Sequence, residues 1–325
     1  MSFAKKAMEN PPGFGYNEEE KPEEPCSGNK EEYMAEFLIS AFADEVSSDP
    51  DRQIAALKRN RLRAIEPRNI GGGIIDRSDA ELDAFAQKLA DAGIGISALG
   101  SPVGKSDIDS DFEPHLAQFR RALEICRRLG TDRMRMFSFF VPQDRLKECR
   151  AEVLRRLRIM LEEADRAGVM LCHENESNIY GQNPEEVADL LESLPGLYGV
   201  FDAANYIMNG QDPLAGIDAT LIRPAYLHMK DAQLTEKAIV PVGMGDGCYE
   251  EVLRRVETHM TGLVYLTVEP HLHLFDAYKK IDSHRLRTGL VFESSDDAFD
   301  CAVAHVKKML TGLGYTEGED LIWRK

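Results

Sequence analysis

The chain has 325 residues and a formal net charge of −17 at neutral pH, from 39 basic and 56 acidic side chains. Such an acidic chain repels nucleic-acid phosphates at long range, so we expect no nucleic-acid partner. No apolar run reaches the roughly 20 residues of a membrane helix, so we expect no membrane partner either. Residues 1–20 lack the continuous apolar stretch of a secretory signal.

Cysteine spacing bears on the compartment. The six cysteines include no C-x-x-C pair and no zinc-finger spacing: Cys26, Cys126, Cys149, Cys172, Cys248 and Cys301. In a chain of this length, scattered cysteines are typical of reduced and mostly buried thiols. We therefore expect a cytoplasmic protein.

The first 36 residues differ in composition from the rest. They hold nine Glu, four Lys and several Pro and Gly, and have a net charge of −5. Because such a segment has little apolar surface to bury, residues 1–36 are predicted to form an N-terminal arm, either mobile or strapped over the surface. Residues 37–325 are predicted to form a single domain.

From residue 37 onward, short apolar runs alternate with longer amphipathic segments. The runs predict strands at 37–42, 62–66, 94–99, 133–137, 169–174, 198–202, 225–229 and 263–269. The amphipathic segments predict helices at 50–60, 78–92, 112–129, 144–167, 184–194, 213–221, 248–259 and 294–312.

Capping signals support these helix boundaries. Ser78 with Glu81 has the spacing of a capping box, and Asn183-Pro184 is a typical helix start. Four glycines each follow a helical segment just before a strand: Gly93, Gly130, Gly168 and Gly196.

Eight strand–helix units predict an α/β fold, a (β/α)8 TIM barrel, which typically needs about 250 residues. The alternative is a doubly wound open sheet, which usually has a glycine-rich turn after its first strand. Here the first strand leads into residues 43–47, Ala-Asp-Glu-Val-Ser, and the glycines at 71–73 have no phosphate-loop pattern. The barrel is therefore favoured.

The fifth to eighth strands each end in a residue able to bind a metal. These residues are Glu174, Asp202, His228 and Glu269. Because strand ends converge at the mouth of a barrel, three carboxylates and an imidazole would meet there and repel unless a cation neutralised them. Taken singly, each residue is more often a loop cap, an ion-pair partner or a core histidine. Together they predict one divalent metal, with Mn²⁺, Mg²⁺, Co²⁺ or Zn²⁺ all compatible with the ligand set.

Other polar residues near the strand ends are predicted to bind substrate. Glu66, Lys105 and Lys230 lie at the ends of the second, third and seventh strands, and His271 follows the eighth. The cations Lys105, Arg135 and Lys230 suit sugar hydroxyls, a carboxylate or a phosphate. The alternatives stay open: each cation could pair with a nearby acid, as Lys230 with Asp231, and His271 could be a surface residue.

The chain resembles the sugar phosphate isomerase/epimerase family, the xylose isomerase-like TIM barrels, from about Phe37 to Leu313. Eight motifs in the same order carry the resemblance: FADEVSSD (42–49), AIEPR (64–68), SPVGK (101–105), HEN (173–175), FDAAN (201–205), HMKDA (228–232), PVGMGDG (241–247) and VEPHL (268–272). The family match places the metal ligand at Glu174 rather than at Glu176, which competes for the same role.

The resemblance implies that Glu174, Asp202, His228 and Glu269 bind one divalent metal, often Mn²⁺. It also implies that Glu174 and Glu269 are catalytic, one removing a proton beside a carbonyl and the other returning it, through a metal-stabilised cis-enediolate. The expected substrate is a small sugar, ketose or polyol, and a homo-oligomer is expected from the family. Epimerases of the family often have histidine where this chain has Asn205, which we expect to contact substrate.

Three alternative functions remain. An inosose-type dehydratase would use the same barrel and the same first proton removal. An apurinic-site endonuclease would need more inward histidines and a basic DNA-binding face than a chain with eight His and a charge of −17 offers. The last alternative is a catalytically inactive binding barrel.

Overall fold

The computed structural model describes residues 35–273 and 289–325. The described residues form one compact unit. The arm predicted over residues 1–36 lies outside the described part, except for Ala35 and Glu36. These two residues already belong to the first strand, which therefore starts two residues earlier than the sequence indicated.

Parallel strands surrounded by helices form the (β/α)8 barrel predicted from the sequence. Its strands are β1 (Ala35–Ala41), β2 (Ala64–Ile65), β3 (Gly95–Ile96), β4 (Leu99–Gly100), β5 (Arg133–Met136), β6 (Met170–Glu174), β7 (Leu197–Asp202), β8 (Pro224–Met229) and, after the hairpin described below, β11 (Gly262–Val268). β3 and β4 together form the third barrel strand, because β3 pairs with β2 and β4 pairs with β5.

The barrel closes through the first strand. β1 pairs in parallel with β11 along its whole length, from Ala35 opposite Gly262 to Ala41 opposite Val268. On the side of β2, the amide of Glu66 donates to the carbonyl of Ala41 at 3.0 Å. The carboxyl ends of the strands therefore meet at one mouth.

The helices lie close to their predicted positions. They are α1 (Pro50–Arg59), α2 (Asp79–Ala92), α3 (Phe112–Leu129), α4 (Leu146–Ala167), α5 (Pro184–Ser193), α6 (Ala203–Met208), α7 (Pro213–Thr220), α8 (Tyr249–His259) and α9 (Ser295–Gly312). The capping box at Ser78 and Glu81 is present. Three of the four predicted glycine caps are left-handed C-caps, at Gly93, Gly130 and Gly168, whereas α5 ends before Gly196, at Leu194.

Three features were not predicted. The short helix α6 starts directly after Asp202, whose side chain caps it. A hairpin of β9 (Asp231–Gln233) and β10 (Ala238–Val240) follows β8. Near the carboxyl terminus, β12 (Thr316–Glu317) pairs with β13 (Ile322–Arg324), which lies antiparallel to β1.

Two apolar layers support the barrel. The large core lies between the strands and the surrounding helices. A smaller group fills the inside of the barrel and includes Cys172, Val200 and Tyr226. Because side chains alternate along a strand, residues two and four positions further along these strands face inward at the mouth.

Two further expectations concern the described residues. Their five cysteines are free thiols, as predicted, and Cys26 lies outside the described part. No helix in residues 35–273 and 289–325 combines the length and apolar character that crossing a membrane requires.

Candidate metal centre and active site

Four side chains from neighbouring strands meet at the barrel mouth. Glu174 and Asp202 are the last residues of β6 and β7. His228 lies opposite Asp202 in β8, and Glu269 directly follows β11. One potential ligand atom of each residue lies within 4.8 Å of the others, and none of the four residues is more than 5% exposed. The structure thus brings together the four predicted ligands, whose roles as ligands and catalysts stay predictions.

The donor atoms of this cluster fit a divalent cation. His228 Nδ1 lies 3.1 Å from Glu174 Oε1 and 3.4 Å from Glu269 Oε2. His228 Nδ1 is buried and has no hydrogen-bond partner of suitable geometry, while Asp202 Oδ2 has only the ammonium group of Lys230 beside it, at 2.6 Å. Buried polar atoms without partners are rare in proteins and call for an explanation. Three carboxylates and one imidazole are a ligand set that Mn²⁺, Mg²⁺, Co²⁺ and Zn²⁺ accept.

The other nitrogen of His228 faces Glu66. His228 Nε2 lies 3.3 Å from Glu66 Oε2, and Tyr226 Oη donates to Glu66 Oε1 at 2.8 Å. Glu66 is fully buried beneath the cluster. The substrate-binding role predicted for Glu66 stays a prediction. The contacts favour a role in orienting His228, because a histidine that binds a metal usually donates its second N–H to a carboxylate or a carbonyl.

Lys230 lies beside the cluster and pairs with Asp202 and Glu269, not with the adjacent Asp231. Its Nζ lies 2.6 Å from Asp202 Oδ2 and 3.2 Å from Glu269 Oε2. Pairing with Asp231 is not found, because that carboxylate accepts hydrogen bonds from amides of the glycine-rich loop 241–247. Burial raises the pKa of Asp202 to about 7, although Lys230 acts to lower it.

The two predicted catalytic glutamates are held in their ionised form. Burial alone would raise the pKa of Glu174, but His228 and Arg135 outweigh it and lower the value to about 2. Burial likewise opposes ionisation of Glu269, but nearby cations, led by Lys230, bring its pKa well below the usual value. Both carboxylates are therefore ionised at neutral pH, which is the form that a general base requires.

A second group of potential ligands shares Glu269. Its other members are Glu45 and His271. The guanidinium of Arg68 already lies in this group, donating to Glu45 Oε1 at 3.1 Å, to Glu269 Oε1 at 3.0 Å and to Asp44 Oδ2 at 2.9 Å. Arg68 therefore supplies the positive charge that a second metal would bring. Its importance was missed in the sequence, although it ends the AIEPR motif.

His271 and Lys105, both predicted to bind substrate, lie at the edge of the site. His271 Nε2 lies 3.5 Å from Glu269 Oε1, and the His271 side chain is 13% exposed. Lys105 Nζ donates to Glu176 at 2.9 Å and contacts the ring of Phe137. Glu176 is thus an ion-pair partner of Lys105 and not a member of the four-residue cluster. The predicted contacts of His271 and Lys105 with substrate stay predictions.

Two asparagines align the strand ends. Asn175 donates to the carbonyl of Asp202 at 2.9 Å and accepts from its amide at 2.9 Å, so its side chain ties β6 to β7. Asn205 donates to Glu174 Oε1 at 3.3 Å and to the carbonyl of Asn175 at 2.8 Å. Asn205 therefore contacts a predicted catalytic group, and its predicted contact with substrate is untested. The role of Asn175 was not predicted, although it lies in the HEN motif.

Comparisons with known proteins agree with this architecture. The family model described as the xylose isomerase-like TIM barrel matches residues 54–291. No curated protein sequence matches the chain. A D-tagatose 3-epimerase-like protein is similar in structure, with a TM-score of 0.65 and 14% identity over 85% of this chain and 98% of that protein.

Two further solved structures are similar over nearly their whole length. A probable 3-DHS dehydratase involved in petrobactin synthesis from Bacillus anthracis has a TM-score of 0.64 and 13% identity, over 84% of this chain and 99% of that protein. The IolI protein, solved with a bound zinc atom, has a TM-score of 0.65 and 14% identity, over 85% of this chain and 99% of that protein. At such identities these likenesses establish the fold alone.

Proposed function

Because the chain belongs to the xylose isomerase-like TIM barrel family, we propose that it is a divalent-metal-dependent isomerase or epimerase of a small sugar, ketose or polyol-derived substrate. The observation that carries the proposal is the buried cluster of Glu174, Asp202, His228 and Glu269 at the barrel mouth. Mn²⁺ is the metal that we propose first, and the similar structure with bound zinc keeps Zn²⁺ as an alternative.

The two glutamates support proton transfer at a carbon beside a carbonyl. Glu174 and Glu269 come from strands separated by β7 and β8, and both approach the same nitrogen of His228. We propose that one glutamate removes the proton and the other returns it. A bound divalent cation would supply positive charge to stabilise the negative charge that develops on the substrate oxygens.

Neighbouring side chains hold each glutamate in position. Asn205 donates to Glu174 Oε1, and Arg135 Nε lies 3.5 Å from Glu174 Oε2. Arg68 donates to Glu269 Oε1, and Lys230 donates to Glu269 Oε2. Such fixed contacts keep each carboxylate oriented before the substrate arrives, which reduces the reorganisation that the reaction requires.

The test is proton exchange with solvent. The Mn²⁺-loaded protein is incubated with ketoses and inososes in D₂O, and deuterium incorporation and product stereochemistry are followed by NMR. We expect exchange at the carbon beside the carbonyl, and we expect Glu174→Gln and Glu269→Gln each to abolish it while the circular dichroism spectrum is kept. Full activity of either variant, or exchange that needs no metal, would refute the proposal.

An inosose-type dehydratase is the second candidate. Dehydration starts with the same proton removal, and the ammonium group of Lys230, 3.2 Å from Glu269, could protonate a departing hydroxyl. The substrate panel separates the two reactions. With a dehydratase the substrate loses water, whereas with an epimerase the substrate is only inverted at one carbon. An endonuclease-like hydrolase is less favoured, because the described metal-ligand groups contain only two histidines, His228 and His271.

The compartment, the partners and the oligomeric state of the protein are also proposals. We propose a cytoplasmic protein, on the basis of the free thiols, with no nucleic-acid partner, on the basis of the charge of −17. A homo-oligomer is also expected, and sedimentation of the full chain would test it.

A further inference from the structure

Arg135 is a buried cation whose hydrogen-bonding capacity is unused. It lies on β5 and is only 6% exposed. Its nearest acids are Glu174, with Oε2 at 3.5 Å from Arg135 Nε, and Glu66, with Oε1 at 3.8 Å, both too far for good hydrogen bonds. Nε is buried without a hydrogen-bond partner. Within residues 35–273 and 289–325, the guanidinium has only these two long contacts with acids and its contacts with aromatic rings.

Two other arginines with little exposure are used differently. The Arg68 side chain, which is 17% exposed and also lies against the Phe42 ring, donates from all three of its nitrogens to carboxylates. Arg156, which is 5% exposed, donates from Nε to Glu152 and from Nη2 to the carbonyls of Ile108 and Ser110, and only its Nη1 has no partner. A guanidinium without hydrogen bonds at this depth is unfavourable, because burial weakens its hydration and no protein group replaces the lost water. The contrast indicates that a ligand completes the contacts of Arg135.

The surroundings of Arg135 fix the guanidinium for such a ligand. Its Cζ lies 4.7 Å from the centre of the Phe137 ring and 5.4 Å from that of Phe42. These rings restrict the guanidinium and exclude water from its faces, which strengthens any charged contact. Lys105 Nζ, 4.4 Å from the centre of the Phe137 ring, brings a second cation to the same part of the site.

The chemistry of the guanidinium indicates the class of ligand. Its N–H groups form a planar fork that matches the two oxygens of a carboxylate or phosphate. A sugar hydroxyl would accept a single hydrogen bond and leave the charge uncompensated. We propose that the substrate carries an anionic group, a carboxylate or a phosphate, which Arg135 binds next to Glu174. This inference rests on the proposed function, since it assigns a substrate class to the same site.

A role as counter-ion to Glu66 and Glu174 is the competing explanation. In that case the loss of Arg135 would weaken neutral and anionic ligands alike. If Arg135 binds an anion, its loss would affect only the anionic ligands, and mainly KM rather than kcat. The ratio of the two affinities therefore distinguishes the explanations.

The test uses sugars that differ at one carbon. D-fructose, D-fructuronate and D-fructose 6-phosphate carry a hydroxymethyl, a carboxylate and a phosphate at the same end, and the D-tagatose series does the same. Binding to the Mn²⁺-loaded full chain is measured by calorimetry, and proton exchange by NMR. We expect one anionic member to bind roughly tenfold to hundredfold more tightly than its neutral counterpart, as for hydrogen bonds to a charged group. Whether the carboxylate or the phosphate binds better identifies the natural group.

Variants assign this preference to Arg135. We expect Arg135→Gln to remove the preference and Arg135→Lys to keep part of it, because lysine retains the charge without the fork. If the glutamine variant fails to fold, the lysine variant carries the test. Arg133→Gln is the matched control, since Arg133 lies on the same strand, pairs with Asp132, and should keep the full preference.

The outcomes separate this inference from the proposed function. Equal binding of neutral and anionic sugars, an undiminished preference in Arg135→Gln, or no binding of any anionic sugar at millimolar concentration would overturn the inference. Proton exchange of neutral sugars without an anionic preference would leave the proposed function intact. Binding of anions that depends on Arg135, without exchange on any sugar, would refute the proposed function and support the inference.

Discussion

His228 Nε2 lies 3.3 Å from Glu66 Oε2, while Nδ1 of the same ring faces Glu174 and Glu269. The two nitrogens therefore have separate tasks. A proton on Nε2 that is shared with Glu66 leaves the lone pair of Nδ1 for a cation and fixes the ring plane. Because Tyr226 also donates to Glu66, the carboxylate itself is held in place.

We expect Glu66→Gln to weaken metal binding. The amide can no longer accept the Nε2 proton as a carboxylate does, so Mn²⁺ affinity should fall by roughly tenfold to hundredfold, the usual effect of losing a partner of a histidine ligand. Calorimetric titration of the purified chain with Mn²⁺ measures it. Tyr226→Phe is the control, since it removes one bond to Glu66 and keeps the carboxylate, and a smaller loss is expected. Unchanged affinity in Glu66→Gln would show that Glu66 does not support His228.

The four-residue cluster could be predicted because it depends on topology alone. In any parallel barrel the strand ends meet at one mouth, so Glu174, Asp202, His228 and Glu269 follow from the order of strands. The position of Glu66 under His228 could not be predicted in the same way. It depends on the register of β2 relative to β8, which are not neighbours in the sheet and leave no pattern in the sequence.

The alternative partner considered for Lys230 is not the one found. The carboxylate of the adjacent Asp231 instead accepts from amides that lie 12 to 16 residues further along the chain. The pairing of β13 with β1 joins residues nearly 290 positions apart, such as Phe37 and Trp323. Contacts at that separation are set by the assembled barrel, and periodicity in a short window does not report them.

We expect Asp231 to be a major support of the glycine-rich loop. Its carboxylate accepts from the amides of Gly243, Gly245 and Gly247 at 2.9, 3.1 and 2.9 Å. Asp231→Ala would leave these amides without their acceptor, so the free energy of unfolding should fall by about 2–3 kcal/mol. Urea denaturation followed by circular dichroism measures the change.

A neighbouring aspartate provides the control for Asp231. Asp246 is exposed and accepts one backbone hydrogen bond, from Leu234 at 2.7 Å. Asp246→Ala should cost less than about 1 kcal/mol, because water can replace the lost acceptor. Equal effects of the two substitutions would show that the buried carboxylate does not anchor the loop.

His115 should make the fold sensitive to acid. Its Nε2 accepts a hydrogen bond from the amide of Gly104 at 3.1 Å, which requires the neutral ring. Burial, with a smaller contribution from Arg156, lowers the pKa of His115 from 6.5 to about 4. Between these values the unfolded chain binds a proton that the folded chain does not, so stability is present above pH 6.5 and falls as the pH drops toward 4.

The measurement compares unfolding free energies near neutral pH and near pH 5. Between these two pH values, we expect the free energy of unfolding of His115→Gln to fall by about 1 kcal/mol less than that of the unsubstituted chain. The variant has no imidazole ring at this position to protonate. The exposed His259 offers a control, and His259→Gln should leave the pH dependence as it is. The same acid sensitivity in His115→Gln would place its origin elsewhere.

Gly104 connects this histidine to the proposed anion-binding side of the mouth. Its φ is +89°, a left-handed conformation that favours glycine, and a Cβ there would lie 2.0 Å from the carbonyl oxygen of Phe137. Gly104→Ala therefore forces the backbone of Phe137 to move. Because the ring of Phe137 contacts both Lys105 and Arg135, we expect weaker binding of anionic sugars as well as a lower melting temperature.

Gly93→Ala separates the two causes of the loss expected in Gly104→Ala, which are the left-handed backbone of an alanine and the clash of its Cβ. Gly93 has a φ of +69°, but a Cβ there meets nothing within 4 Å. That variant should lose about 1 kcal/mol of stability, the cost of placing alanine in a left-handed conformation, and should keep its sugar affinity. Gly104→Ala should lose more stability than Gly93→Ala and lose anion affinity as well. If the two variants behave alike, the contact between Gly104 and Phe137 does not position the cations at the mouth.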